Sequence, residues 1–166
     1  NAPQYPTGLF LTVYIDHSRG DIREIDGLNH YLGMKPLGGA AAIERTLAPI
    51  ALAAIVLMVI ALAFVHRKWF APLAVPVIVL PLVFLTDMYL WMRYYGQSLD
   101  PSAALFAAIA PFTPRILGHG TIAQFSTDAT LLPGFWLAVA ASVMVMAGLH
   151  YRRAARRAAA RAGAAT

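Results

Sequence analysis

The chain has 166 residues, of which 59% are hydrophobic and 13% are charged, and it carries a formal net charge of +5 and no cysteine. A soluble domain contains about 25% charged residues, so this composition excludes an ordinary soluble domain and indicates an integral membrane protein. The absence of cysteine excludes disulfides, thiolate metal sites and cysteine nucleophiles.

The first 45 residues contain no apolar run that is long enough to cross a bilayer. Residues 9–15 are rich in β-branched and aromatic side chains and predict a short strand. Residues 17–20 follow it and predict a turn. Residues 20–36 then form the densest cluster of ionisable and ligand-capable side chains in the sequence. We therefore expect residues 1–45 to form a small polar cap.

A short helix is predicted within this cluster, over residues 21–32. Asp21 is expected to be its N-cap, and Glu24, three residues later, completes a capping-box pattern. Apolar residues then recur at helical spacing, and Gly33 is a natural stop. Asp26 and Gly27 are expected to loosen the middle of this helix.

Three apolar runs are long enough to cross a bilayer, since about 20 residues suffice; they cover about residues 46–66, 70–94 and 133–150. We therefore predict an all-α integral membrane protein with three transmembrane helices and a small cap that contains a short strand and a short helix. Arginines recur every four residues in the tail 152–166, so the third helix is expected to continue into it.

The second span and the connection after it contain further local signals. Pro72, Pro76 and Pro81 predict a bend, with the proline face packed against protein. In the connection 95–132, Asp100 and the following proline predict the start of a short alanine-rich helix that ends near Ala110.

Charge is divided unequally between the two ends of the spans. The loop 66–69 and the tail carry seven basic residues and no acid, whereas the remaining polar parts carry six basic residues and all eight acids. The positive-inside rule therefore places the tail in the cytoplasm and residues 1–45 and 95–132 outside it. We expect the tail to bind anionic lipids and expect no nucleic-acid partner, because no aromatic platform or binding motif accompanies the basic residues.

The sequence begins at Asn1 rather than Met. Because the N-terminal segment is predicted to be extracytoplasmic, we expect a signal peptide or a fourth transmembrane helix before residue 1.

Four residues on the predicted outer side are candidate metal ligands: His17, His30, Met34 and His119. An imidazole and a thioether together suit copper, because soft sulfur favours Cu(I). Zinc is an alternative, with histidine joined by nearby carboxylates, although no spacing matches a defined zinc or haem motif. In a purely structural interpretation, His30 hydrogen-bonds a neighbouring loop and Met34 fills an apolar gap.

Asp87 is an ionisable residue inside a predicted span, which raises a functional question. The simplest expectation is an ion pair with Arg45 or Arg93, near the outer helix ends where Glu44 also lies. No hydrolase, phosphate-binding or metalloprotease motif is present, so no catalytic residue is assigned and enzymatic activity is not expected.

The runs APQYPTGL at residues 2–9 and GDIREIDGLNHYLGM at residues 20–34 resemble motifs of a family of small bacterial multi-pass membrane proteins. The resemblance covers about a quarter of the chain and implies an accessory role near copper-dependent systems of the bacterial cytoplasmic membrane, such as copper membrane monooxygenases or nitrous oxide reductase maturation. It marks the following residues as contacts to partner subunits or as motif positions: Asp21, Arg23, Glu24, Asn29, His30, Tyr31, Gly33 and Met34.

Two functions remain open from the sequence. The first is an accessory subunit of a larger, copper-dependent membrane redox complex, which packs its cap and helices on other membrane subunits. The second is a stand-alone membrane protein that binds or delivers copper through His30 and Met34. A membrane enzyme that uses Asp87 or the cluster of residues 16–31 is the least favoured alternative.

Overall fold

The computed structural model describes residues 5–65, 70–122 and 125–164. The chain divides into two compact units, of which the first comprises Asn1–Ala51 and Leu85–Thr130 and the second Leu52–Phe84 and Leu131–Thr166. The described residues are mostly helical, with two small antiparallel hairpins. The predicted helical fold is therefore confirmed in its main elements, but the described residues contain two hairpins where the sequence predicted a single short strand.

The first hairpin lies at the start of the first unit. Strand β1, Leu11–Val13, pairs with β2, Ser18–Gly20, and Leu11 lies opposite Gly20. The predicted strand over residues 9–15 is thus confirmed only at its centre. The predicted turn over residues 17–20 was wrong, because Ser18–Gly20 form the second strand.

Helix α1, Ile22–Leu32, agrees with the predicted helix, but its N-terminus is built differently. Asp21 makes no side-chain capping bond to the helix; its Oδ2 atom instead accepts a 2.8 Å hydrogen bond from the backbone N–H of Phe10. The backbone N–H of Phe10 therefore binds the Asp21 carboxylate, which the sequence predicted to cap the helix. Gly33 ends the helix at φ 81° as predicted, with Gly33 N–H bonded to His30 O and Met34 N–H bonded to Asn29 O, which is a Schellman motif.

In the part of the chain that the structure describes, three helices are long and apolar enough to cross a membrane: α2, Ala42–Phe64; α3, Phe70–Gln97; and α4, Pro133–Gly163. They confirm the three predicted apolar helices, and α4 continues into the arginine-rich tail as expected. The predicted loop 66–69 lies outside the described residues. Residues 101–105 form turns rather than the predicted alanine-rich helix, and only Phe106–Ala108 forms a short 3-10 turn.

The second hairpin was not predicted. Strand β3, Gly118–Ile122, pairs with β4, Phe125–Ala129, so that His119 lies opposite Asp128. A strand is recognised by alternating apolar and polar residues. This pattern is missing here, because β3 contains two glycines and β4 contains mostly polar residues.

The core of the second unit is formed by Leu62, Phe70 and Ala74, with Val145 and Leu149 of α4 packed against it. Of the three prolines in α3, Pro81 is buried, Pro76 is half-buried and Pro72 is exposed. The prediction that the proline face packs against protein therefore holds for the later prolines only.

Pro81 also explains a polar contact between α3 and α4. A proline has no N–H to donate to the carbonyl four residues earlier, which here belongs to Val77. Ser142 of α4 is 4% exposed, and its hydroxyl oxygen lies 2.9 Å from Val77 O and 2.8 Å from Ala138 O. The serine hydroxyl thus supplies a donor for the carbonyl that the proline leaves without its helical partner.

Candidate functional site

The segment 20–36 remains the centre of the candidate site, and the first hairpin holds its beginning. Asp21 N–H donates to Phe10 O at 2.8 Å, and the Asp21 carboxylate accepts from Phe10 N–H at the same distance. Gly20 has φ 120° and lies so close to the Phe10 carbonyl that a Cβ atom has no room. Helix α1 is therefore attached directly to the hairpin that precedes it.

Asp26 attaches the middle of α1 to the loop after it. Its Oδ1 accepts from Leu37 N–H at 2.6 Å and its Oδ2 from Gly38 N–H at 3.3 Å. Arg45 Nη2 then donates to Gly38 O at 2.8 Å. The prediction that Asp26 loosens the helix overlooked this role, because the two amides come from residues eleven and twelve positions later.

The loop between α1 and α2 is also bonded to the end of α3. Tyr95 donates its hydroxyl to Pro36 O at 3.2 Å. Lys35 donates to the Tyr94 hydroxyl, and its ammonium lies 4.3 Å from the Tyr94 ring centroid. These contacts hold residues 35 and 36 against two tyrosines near the C-terminal end of α3.

The connection after α3 closes over the end of α1. Asp100 N–H donates to Gly33 O at 2.8 Å, and Leu105 N–H donates to Tyr31 O at 3.1 Å. A Cβ atom on Gly33 would lie 2.9 Å from Asp100 O, so the two backbones approach as closely as glycine allows.

Beside this close approach lies a partly open cavity of about 260 Å³, which is lined by His30, Tyr31, Gly33, Met34, Asp100, Ser102, Ala103 and Ala104. His30 and Met34, the first two predicted metal ligands, thus line one cavity. Asp100 also lines it, although the sequence marked this residue only as a helix start. The cavity offers an imidazole, a thioether and a carboxylate to a ligand.

The Asp100 carboxylate is stabilised in its charged form. Ser102 donates to Asp100 Oδ1 from its hydroxyl at 2.7 Å and from its backbone N–H at 2.8 Å. These two hydrogen bonds lower the pKa of Asp100 below its ordinary value of 3.8, and the nearby His30 adds a smaller effect in the same direction. The cavity therefore has an anionic wall at neutral pH.

The other two predicted ligands, His17 and His119, are paired elsewhere. His17 Nδ1 lies 2.6 Å from Asp16 Oδ1 and its ring stacks on Tyr14 at 4.6 Å, and the hydrogen bond lowers the pKa of Asp16. His119 Nδ1 lies 3.0 Å from Asp128 Oδ1 across the second hairpin. Within residues 5–65, 70–122 and 125–164, no three His, Asp or Glu residues are grouped to hold a metal ion. Binding of a metal by His30 and Met34 stays a prediction.

The predicted ion pair of Asp87 is not formed among the described residues. Arg45 bonds the Gly38 carbonyl, and Arg93 Nε lies 3.4 Å from Gln97 Oε1. Glu44 accepts from Trp91 Nε1 at 3.3 Å. Arg45 and Arg93, the two predicted partners of Asp87, are thus each hydrogen-bonded to a neutral group instead of to the Asp87 carboxylate.

The predicted partner-contact residues fall into two groups. Arg23, Glu24 and Tyr31 are exposed, whereas Asp21 is bonded to the hairpin. Asn29 is only 7% exposed, and its Nδ2 has no hydrogen-bond partner within the described chain. The sequence did not mark a larger exposed feature, the apolar residues of the first hairpin, because a short strand does not reveal which of its faces is covered.

Comparison with known proteins gave no match to a family model, to a curated protein or to a solved structure. Assignment of function therefore depends on the residues and their contacts.

Proposed function

We propose that the chain is an accessory subunit of a larger membrane redox complex, of the copper-dependent kind that the sequence motifs suggest. In this proposal the helices α2, α3 and α4 cross the bacterial cytoplasmic membrane. The first hairpin and the exposed face of α1 contact other subunits. The chain supplies no catalytic group of its own and acts by binding and positioning its partners.

The observation that carries this proposal is the apolar surface of the first hairpin, which lies outside the three candidate spans. Its exposed large apolar residues are Phe10 at 68%, Val13 at 61%, Ile15 at 51%, Tyr14 at 46% and Leu11 at 37%. Neighbouring exposed apolar side chains outside a span are typical of protein–protein contact. Aromatic residues are also enriched at such interfaces.

The surrounding hydrogen bonds support the same function. Asp21 and Asp26 attach α1 to the hairpin on one side and to the next loop on the other. A surface that is already ordered loses less conformational entropy when a partner binds. The exposed face of α1 that carries Arg23, Glu24 and Tyr31 would add polar contacts at the rim.

Purification of the native chain in mild detergent tests the proposal. We expect the chain to migrate with other membrane subunits at a fixed stoichiometry, and we expect Phe10→Ser combined with Val13→Ser to reduce this association at least about tenfold, since buried aromatic anchors dominate interface energies. Leu117→Ser, which changes another exposed apolar residue outside the spans, is the matched control. A chain that migrates alone, or equal loss in the control, would overturn the proposal.

A second candidate function is copper handling by the chain alone. It is favoured by one observation: His30 and Met34 line the same cavity, with Asp100 beside them. Thioether and imidazole ligands together suit Cu(I).

Metal analysis of the purified lone chain separates this candidate from the first. Stoichiometric copper that is lost in His30→Ala and in Met34→Ala supports it, whereas His150→Ala and Met144→Ala, on α4, serve as controls. Copper content that is unchanged by the first two substitutions excludes binding at this cavity.

A further inference from the structure

The second unit contains a small cavity with a cationic side and an apolar side. Its volume is about 100 Å³, and it is lined by Phe70, Ala71, Leu149, Arg152, Arg153 and Arg156. The lining comes from the first turn of α3 and from the part of α4 where the apolar sequence gives way to arginines. A ligand that fits both sides carries an anionic group and a hydrocarbon chain.

Arg152 forms the fixed part of the cationic side. Its Nη1 donates to Val65 O at 2.7 Å and its Nη2 to Leu62 O at 3.4 Å. Its guanidinium carbon lies 3.9 Å from the Phe70 ring centroid. These contacts satisfy carbonyls at the C-terminal end of α2, where a cation is favoured by the helix dipole. Arg152, which the sequence assigned to a lipid-binding tail, therefore has a structural role.

The apolar side is equally well fixed. Phe70 is 9% exposed and belongs to the core of the unit, and Leu149 packs against that core. Because these side chains are already packed, they would not need to rearrange when an acyl chain binds beside them.

The second unit contains no acidic residue that could balance its basic residues. Residues 52–84 and 131–166, which form the second unit, include seven basic residues and no acid, while all eight acids lie in the first unit. Arginine binds phosphate groups strongly because its planar donors match the phosphate oxygens. Charge complementarity therefore favours an anionic, phosphate-bearing occupant.

We propose that this cavity binds the headgroup of an anionic phospholipid, with Arg153 and Arg156 contacting the phosphate and with Phe70 and Leu149 beside the acyl chain. The sequence alone predicted a diffuse attraction of the whole tail to anionic lipid, whereas this site involves two of its arginines. The proposal rests on the membrane insertion included in the proposed function, and it is independent of copper and of any partner subunit.

The full chain is reconstituted in bilayers of phosphatidylcholine with a minority of phosphatidylglycerol. Native mass spectrometry of the chain released from these bilayers then measures how much of each lipid stays bound to it. The wild-type chain is expected to retain phosphatidylglycerol preferentially. Arg153→Ala combined with Arg156→Ala should reduce that retention at least about tenfold, because both charge-assisted contacts to the phosphate are lost. Arg157→Ala combined with Arg161→Ala removes the same charge from the same helix and should leave retention nearly unchanged.

Three results would overturn the site: equal loss in both double variants, no preference for phosphatidylglycerol, or complete displacement of the lipid by excess inorganic phosphate. Extraction of the membranes with alkaline carbonate separates this failure from failure of the proposed function. A chain that is extracted has not inserted, whereas a chain that stays in the membrane without lipid preference refutes the lipid site alone.

Discussion

Gly27 and Gly33 are close in sequence but differ in what their backbone requires. Gly27 lies inside α1, and a Cβ atom placed on it would meet nothing within 4 Å. Gly33 has φ 81°, and its Cβ would lie 2.9 Å from Asp100 O and 3.0 Å from Asp100 N. Replacement of glycine by alanine should therefore have opposite effects on the free energy of unfolding at the two positions.

Gly33→Ala should lower the free energy of unfolding of the cap by at least about 1–2 kcal/mol, because an L-residue is disfavoured in the left-handed region and the Asp100 backbone must also move. Gly27→Ala should raise it by about 0.5–1 kcal/mol, because alanine costs less conformational entropy in a helix. Amide hydrogen exchange along α1 in detergent measures both effects. Equal effects of the two substitutions would contradict the geometry described at Gly33.

The hydrogen bonds of Asp100 predict a pH dependence at the cavity. Because Ser102 lowers the pKa of Asp100 in the folded chain, the bonds stabilise the fold above the ordinary value of 3.8 and this stabilisation is lost as the pH falls through the lowered pKa. Ser102→Ala should return the pKa of Asp100 toward 3.8, as followed by NMR titration of the carboxyl carbon. Ser126→Ala, on β4, should not move the pKa of Asp100; an unchanged pKa in Ser102→Ala would show that the Ser102 hydroxyl is not the cause.

Single residues also show where sequence reasoning fails. The role of Gly33 was predictable, because a glycine after a helical pattern signals its end. The roles of Asp21 and Asp26 were not, because each carboxylate accepts from an amide eleven residues away. A local pattern assigns a carboxylate to the nearest helix, and only the tertiary fold shows a competing donor.

Among the elements, the contact between α3 and α4 depends on Pro81 and Ser142 together. Ser142→Ala should lower the free energy of unfolding by about 0.5–1.5 kcal/mol, the usual net contribution of an intramolecular hydrogen bond. In a Pro81→Ala background the new N–H can bond Val77 O, so Ser142→Ala should then cost less. A double-mutant cycle of unfolding in detergent measures this coupling, and strictly additive effects would contradict it.

The long helices were predictable because a bilayer requires about 20 apolar residues, and such runs are visible without knowledge of packing. The two hairpins were not, because their strands are short, contain glycines and polar residues, and depend on pairing with a second strand. The wrong helix prediction after Asp100 has a related cause: Leu105 N–H, which in a helix would donate to the carbonyl of Pro101, instead donates to Tyr31 O. Tertiary hydrogen bonds thus replaced the local preference of the alanines.

Across the whole molecule, acidic and basic residues are separated along the sequence. All eight acids lie in the first unit, and the tail and the loop 66–69 hold seven basic residues without an acid. The positive-inside rule converts this separation into an expected orientation. The proposed subunit contacts require the cap on the outer side of the membrane, and the proposed lipid site requires the arginines of α4 on the inner side.

The absence of cysteine allows this orientation to be measured directly. Glu24→Cys and Arg161→Cys, each as the single cysteine of the chain, are exposed to a membrane-impermeant maleimide on spheroplasts that are first intact and then permeabilised. We expect Cys at position 24 to react in intact spheroplasts and Cys at position 161 to react only after permeabilisation. Reaction of both positions from the same side, or the reverse order, would contradict the account.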